Sequence, residues 1–185
     1  ATGLGGTLEL RGKSLDVSGR IETAAGKLTL AATGTGSSDN VRVRNTAVIT
    51  AEGSQVAFAD TYAYASGGEI TLKSAKGNVI VDSGAAVSVS AHAEGGDAGS
   101  LALIAQEGTV SAGAGTLRGA AKAGDPELLQ GRLKVDALSL ALDGLADAVR
   151  QLLPDGSTRT HFGNEWDVRA RAGNLALSKN ITSEN

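Results

Sequence analysis

Along most of the chain, apolar and polar residues alternate over short stretches of three to five positions. Val87-Ser88-Val89-Ser90 puts valines on one side and serines on the other. Val41-Arg42-Val43-Arg44 does the same with arginines, which need water on their face. A period of two is the signature of a half-buried strand. Many stretches open with a common phrase: one or two small residues, a polar residue, then an apolar–any–apolar triplet. It reads Gly5-Gly6-Thr7-Leu8-Glu9-Leu10, Ala25-Gly26-Lys27-Leu28-Thr29-Leu30 and Gly67-Gly68-Glu69-Ile70-Thr71-Leu72. It returns as Ala98-Gly99-Ser100-Leu101-Ala102-Leu103 and Ala172-Gly173-Asn174-Leu175-Ala176-Leu177, with weaker copies at Leu15-Asp16-Val17 and Val79-Ile80-Val81. Gly6 and Gly26 are 20 residues apart and Gly68 and Gly99 are 31 apart, so the period is loose.

Many short strands with a shared phrase suit either a sandwich or a solenoid. A sandwich core draws on large aromatics, and this chain has five in 185 residues: Phe58, Tyr62, Tyr64, Phe162 and Trp166. A parallel β-helix instead stacks similar coils of about 20 residues or more around a narrow axis that small aliphatic side chains fill. The expected fold is therefore all-β: a right-handed parallel β-helix of about six to eight coils. Residues 1–185 form one segment. Leu8, Leu10, Leu28, Leu30, Ile70, Leu72, Val79, Val81, Val87, Val89, Leu101, Leu103, Leu175 and Leu177 should point inward.

One stretch breaks the alternation. Leu145, Val149, Leu152 and Leu153 fall at i, i+4, i+7 and i+8, one face of a helix. Asp143 stands at the N-cap position and Pro154-Asp155-Gly156 at the stop. The pattern predicts one short inserted α-helix over about 144–153, preceded by a strand over 133–142. Residues 119–131, rich in small side chains and carrying Pro126, read as an irregular loop.

Composition narrows the chemistry. The 26 glycines beside two prolines exclude collagen and proline-rich linkers, and the absence of cysteine removes thiol catalysis, disulfides and thiolate metal sites. A net charge of −3 lacks the footprint of a nucleic-acid binder. No apolar run approaches the roughly 18–20 residues that span a bilayer, so no transmembrane segment is expected. The chain begins at Ala1 and contains no methionine, which reads as a processed or cut end.

Candidate sites are sparse. His92 with Glu94 and His161 with Glu165 read as exposed loop histidines rather than a metal site, which wants four ligands. Gly95-Gly96-Asp97-Ala98-Gly99 reads as a tight turn, and Gly34-Thr35-Gly36 lacks the following helix of a phosphate loop. Asp16, Asp39, Asp60, Asp82 and Asp97 are scattered singly, whereas a glycan-cleaving enzyme needs paired carboxylates on one groove. No catalytic residue, metal or cofactor is assigned. Phe58, Asp60, Tyr62 and Tyr64 share parity, so a strand would show both tyrosines on one face. They either contact sugars or proteins or cover a coil end or loop base. Trp166 shares parity with Val168 and Ala170 and is expected under the helix or near a coil corner.

The glycine-punctuated phrases resemble the filamentous haemagglutinin-like exoproteins of bacterial two-partner secretion. The stretch Phe162-Gly163-Asn164-Glu165-Trp166-Asp167-Val168-Arg169-Ala170-Arg171-Ala172-Gly173-Asn174-Leu175-Ala176-Leu177 is similar to a strand phrase that introduces new coils in one branch of that family. The resemblance implies an internal piece of a large secreted or surface-bound adhesin, acting as a stalk or in attachment to host cells. It also implies an outer-membrane transporter partner for the full-length parent. This chain carries no Asn-Pro motif of the family's secretion domain, its prolines following Asp125 and Leu153. Three readings stay open: a non-enzymatic shaft, a module binding host glycans or surface proteins through Tyr62 and Tyr64 or the helical insertion, and a β-helical polysaccharide-degrading enzyme. A shaft cut from a longer one is expected to end raggedly, particularly over 178–185, or to associate end to end.

Overall fold

A computed structural model describes residues 4–179. The strands arrange themselves in three parallel rows around one aliphatic core. The first row is β1 (Thr7–Gly12), β4 (Lys27–Ala32), β9 (Glu69–Ser74), β12 (Ser100–Ala112), β14 (Arg132–Leu140) and β17 (Glu165–Ala170). The second is β2 (Leu15–Val17), β5 (Val41–Val43), β10 (Val79–Val81) and the far end of β12, which bends from one row into the next. The third is β3 (Arg20–Glu22), β6 (Val48–Thr50), β11 (Ala86–Ser88) and β13 (Leu117–Arg118). The fold is therefore mostly β, with parallel sheets that nearly close on themselves.

Register explains the repeated phrase. Leu28, Ile70, Leu101, Leu133 and Trp166 are successive partners, as are Leu30, Leu72, Leu103, Val135 and Val168. The apolar positions of the triplet thus stack on one another, and Leu28 to Val135 in these two files are fully buried. Fully burying one such side chain stabilises the fold by about 1.5–3 kcal/mol. The small residue before each triplet is equally constrained. The amides of Lys27, Glu69, Ser100 and Arg132 donate to the carbonyls of Gly6, Gly26, Gly68 and Gly99, each in the preceding circuit. A Cβ on Gly68 would lie 1.9 Å from the Gly26 oxygen, and one on Gly99 1.9 Å from the Gly68 oxygen. Only glycine lets the backbones stack this closely.

A second file of side chains joins the circuits. Asn78 N–H donates to Asn40 Oδ1 at 2.7 Å, and Thr109 N–H donates to Asn78 Oδ1 at 2.8 Å. These amides precede β5, β10 and the second-row part of β12, where the chain turns a corner.

The structure corrects several expectations. Leu10 is exposed because β1 has a neighbour on one side only, among the described residues. Leu175 and Leu177 are also exposed and lie in no strand. Helix α1 (Leu142–Ala148) immediately follows β14, where the second row would otherwise continue, and leaves that phrase no strand to pair with. The helix is shorter than 144–153 and begins earlier. Its N-cap is Ala141, with no side-chain cap, and Asp143 lies in its first turn. Asp143 instead accepts from the amides of Ser178 and Lys179, which pin the returning chain onto the helix. Leu145 and Val149 are buried as the helical face required. Leu152, however, belongs to β15 (Arg150–Leu152) and is 71% exposed. This strand pairs antiparallel with β16 (Thr158–Thr160), so Pro154-Asp155-Gly156 turns a hairpin rather than stopping a helix. Within that turn Ser157 N–H and Oγ–H donate to Asp155 Oδ1. Residues 119–131 contain no regular element. Of the range 178–185, only Ser178 and Lys179 lie among the described residues.

Candidate functional site

Two antiparallel hairpins and helix α1 depart from the parallel rows among the described residues. The first is the hairpin of β7 (Ser54–Phe58) and β8 (Thr61–Ala65), inserted between β6 and β9. Its two-residue turn holds Ala59 at a positive φ of 46°. Tyr62 and Tyr64, two positions apart on β8, share a face as expected, and the reversal takes Phe58 off it. Tyr62 pairs with Ala57 and Tyr64 with Gln55, while Phe58 pairs with Thr61 and faces the other way. Tyr62 is 61% exposed. Tyr64 stacks on the His92 ring with centroids 5.3 Å apart and covers the turn at Gly95, whose Cβ would meet the tyrosine ring at 2.8 Å. Tyr62 is thus an exposed ring, and Tyr64 a ring packed at the base of a loop.

The scattered acids hold structural positions. Arg44 donates to Asp16 and Arg42 to Asp82, across neighbouring strands. Asp39 accepts from Gly36 N–H and Asp97 from Leu129 N–H. Asp60 sits in the hairpin turn. Among the described residues no three of His, Asp and Glu converge in a metal-binding set. The Arg44 guanidinium holds the Asp16 carboxyl below its usual range.

His161 overturns the expectation of an exposed loop histidine. It is 3% exposed. Gly119 N–H donates to its Nδ1 at 3.2 Å, and its Nε2 lies 2.9 Å from Gln151 Oε1. The backbone donor makes Nδ1 the acceptor, so Nε2 carries the proton and the ring is neutral. Burial first, then the charges of Arg159 and Arg118, push its pKa down to about 4. Phe162, next in the chain, is fully buried with φ at 63° and is packed against Gly119. Trp166 lies on β17 over Leu133, its Nε1–H donating to the Phe162 carbonyl at 2.8 Å.

Above His161 opens a concavity of about 330 Å³. Its charged lining is Arg118 from β13, Lys122 from the irregular loop, Arg159 from β16 and Glu52 after β6. His92 sits at the same concavity, so stacking brings together two histidines that are 69 residues apart in sequence. Glu52 accepts from Ser88 Oγ at 2.5 Å and forms no ion pair with the three cations. The Arg159 guanidinium donates to the Ala121 carbonyl. The pocket therefore concentrates positive charge on a protein whose net charge is −3.

No known protein family, curated protein or solved structure matches this chain.

Arg118, Lys122, Gln151 and Arg159 belong to no motif. Their convergence depends on circuits of unequal length: Ala120 N–H reaches Ser90 Oγ, 30 positions back, whereas Gly119 N–H reaches His161, 42 positions ahead. A loose period hides such neighbours from any fixed-spacing search.

Proposed function

We propose that the chain is a stretch of right-handed parallel β-helix serving as a non-enzymatic shaft segment of a large secreted bacterial adhesin of the filamentous haemagglutinin-like kind. The observation that carries this reading is the register of the first row, in which the apolar triplets of six strands stack in step, the one shift between β12 and β14 falling after Ala105. Each added circuit extends such a stack by about 4.8 Å without requiring any particular chemical group. The ion-paired or hydrogen-bonded positions of Asp16, Asp39, Asp82 and Asp97 support a structural over a glycan-cleaving role. No helix of the described residues is long and apolar enough to cross a membrane.

Removing residues 69–99 tests the shaft directly. Ser100 pairs with Glu69 and Val110 with Val79, both 31 positions apart, so the deletion excises one whole circuit and preserves the registers of the first two rows. Leu117, which pairs with Val87, reaches the third row by a corner one residue shorter. The shortened chain is expected to unfold cooperatively, and cells displaying the correspondingly shortened parent are expected to adhere as before. A folded deletion variant whose parent no longer adheres would contradict the shaft reading.

A second reading rests on the hairpin, where Phe58 and Tyr62 project exposed rings from the one antiparallel excursion before β9. It predicts saturable binding to a glycan array, lost in Tyr62→Ala. Tyr64→Ala is expected to loosen the turn at Gly95 in addition, because that ring stacks on His92. An array without signal for the unaltered protein rules out glycan recognition by the hairpin.

A further inference from the structure

We propose that the concavity above His161 binds the oxyanion group of a small ligand, a carboxylate, phosphate or sulfate, through Arg118, Arg159 and Lys122. Neither the shaft nor the hairpin reading requires this site, and it stands or fails separately from both.

Three observations converge on it. First, the charge is left uncompensated. Among the described residues neither Arg118 nor Arg159 forms an ion pair, although ion pairs such as Arg44–Asp16 and Lys134–Asp167 recur elsewhere on the strands. Lys122 reaches only Glu94, at 3.8 Å. Elsewhere Arg42, Arg44, Arg132 and Arg171 each pair with an acid on a neighbouring circuit, and Arg11 and Arg20 with an acid two positions away on their own strand. Second, the Nε atom of Arg118 is buried and has no hydrogen-bond partner. Buried donors are ordinarily satisfied, and an unsatisfied one costs about 1–3 kcal/mol. Third, the neighbouring imidazole offers no negative charge or second acceptor. His161 is neutral, with Nδ1 occupied by Gly119 N–H and Nε2 directed at Gln151.

An oxyanion supplies the negative charge that the cluster lacks. Guanidinium groups present paired donors that match a carboxylate or phosphate edge, and charge-assisted bonds of this kind are roughly twice as strong as neutral ones. Arg159 is held in position by the Ala121 carbonyl, and Arg118 by its place in β13, so neither must be ordered from solution on binding. The volume of about 330 Å³ lies at the small end of ligand pockets, which run from about 300 to 1,000 Å³. It suits a single acidic sugar unit or a free inorganic anion.

The test is an amide and imidazole NMR titration of the whole chain with inorganic phosphate, sulfate and glucuronate in separate arms. Low salt keeps partly exposed charges from being screened. Saturable shifts are expected at residues 118–123 and 159–161. The bound anion should also raise the protonation midpoint of His161, a change that a general ionic-strength effect would not confine to this ring. Arg118→Gln and Arg159→Gln should each weaken binding by about tenfold or more, and Lys122→Gln should do so less. Lys122 lies on an exposed loop, so its variant keeps the test informative if an arginine variant fails to fold. Preference for glucuronate identifies the carboxylate of an acidic sugar as the ligand group, and preference for phosphate or sulfate identifies a tetrahedral anion. Absence of saturable shifts in all three arms, or shifts unaffected by all three substitutions, would overturn the site.

Discussion

Replacing Gly99 with alanine is expected to destabilise the protein by about 3 kcal/mol, the upper range for overpacking a well-filled site. The added methyl would sit 1.9 Å from the Gly68 carbonyl oxygen, and that oxygen accepts the Ser100 amide. Neither atom can yield as a flexible side chain would, because both are backbone in adjacent circuits. The strain therefore separates β9 from β12 at the start of their ladder. A thermal scan should show a fall of roughly 6–12 °C. Gly144→Ala is the control. Gly144 lies within α1 with open space around its Cβ direction, and alanine there should be neutral or stabilise by up to about 1 kcal/mol. Equal effects at the two sites would mean that the glycines serve chain flexibility rather than close stacking.

Stability should also fall by about 2 kcal/mol between pH 7 and pH 5, through His161. The folded imidazole resists protonation down to about 4, whereas in the unfolded chain it protonates near 6.5. Over that interval the unfolded state binds the extra proton, so acidification favours unfolding. The contribution is complete above about 6.5 and disappears as pH approaches 4. The carboxylates of Asp16 and Asp136 are held below their usual range by Arg44 and Arg171, and they withdraw their stabilisation only in more acidic solution. Urea unfolding at the two pH values measures the change. His161→Gln should flatten the slope, whatever it does to stability at pH 7. An unchanged slope in the variant would show that other groups dominate.

The alternation of apolar residues and the small-residue phrases made the first two rows legible. Leu28, Ile70 and Leu101 carry the same phrase and turn out to be direct partners. What alternation cannot show is which phrase finds a neighbour. Leu175 and Leu177 have the same local pattern as Leu101 and Leu103, yet they follow a helix that takes the place of a strand. The helix itself illustrates a related ambiguity. Leu145, Val149 and Leu152 fit a helical face, but Leu152 is claimed by the β15–β16 hairpin, whose turn is fixed by Asp155 and Ser157. Parity likewise fails across a tight turn, which is why Phe58 faces away from Tyr62. The concavity was least legible of all. Its arginines lie on separate circuits of unequal length, and the burial of His161 depends on the docking of Phe162 against Gly119.

Successive strands of the first row stack in register, at the constant spacing of a parallel sheet. The chain has no cysteine, so single spin labels can be placed at will. Lys27, Glu69, Ser100, Arg132 and Glu165 occupy the same register position on five successive strands of the first row. Labels at Lys27→Cys and Glu165→Cys should give a dipolar distance near 19 Å, four spacings of about 4.8 Å, and moving the second label to Arg132→Cys should shorten it by one spacing. A separation well beyond 30 Å, or no change between the two pairs, would contradict the stacked arrangement.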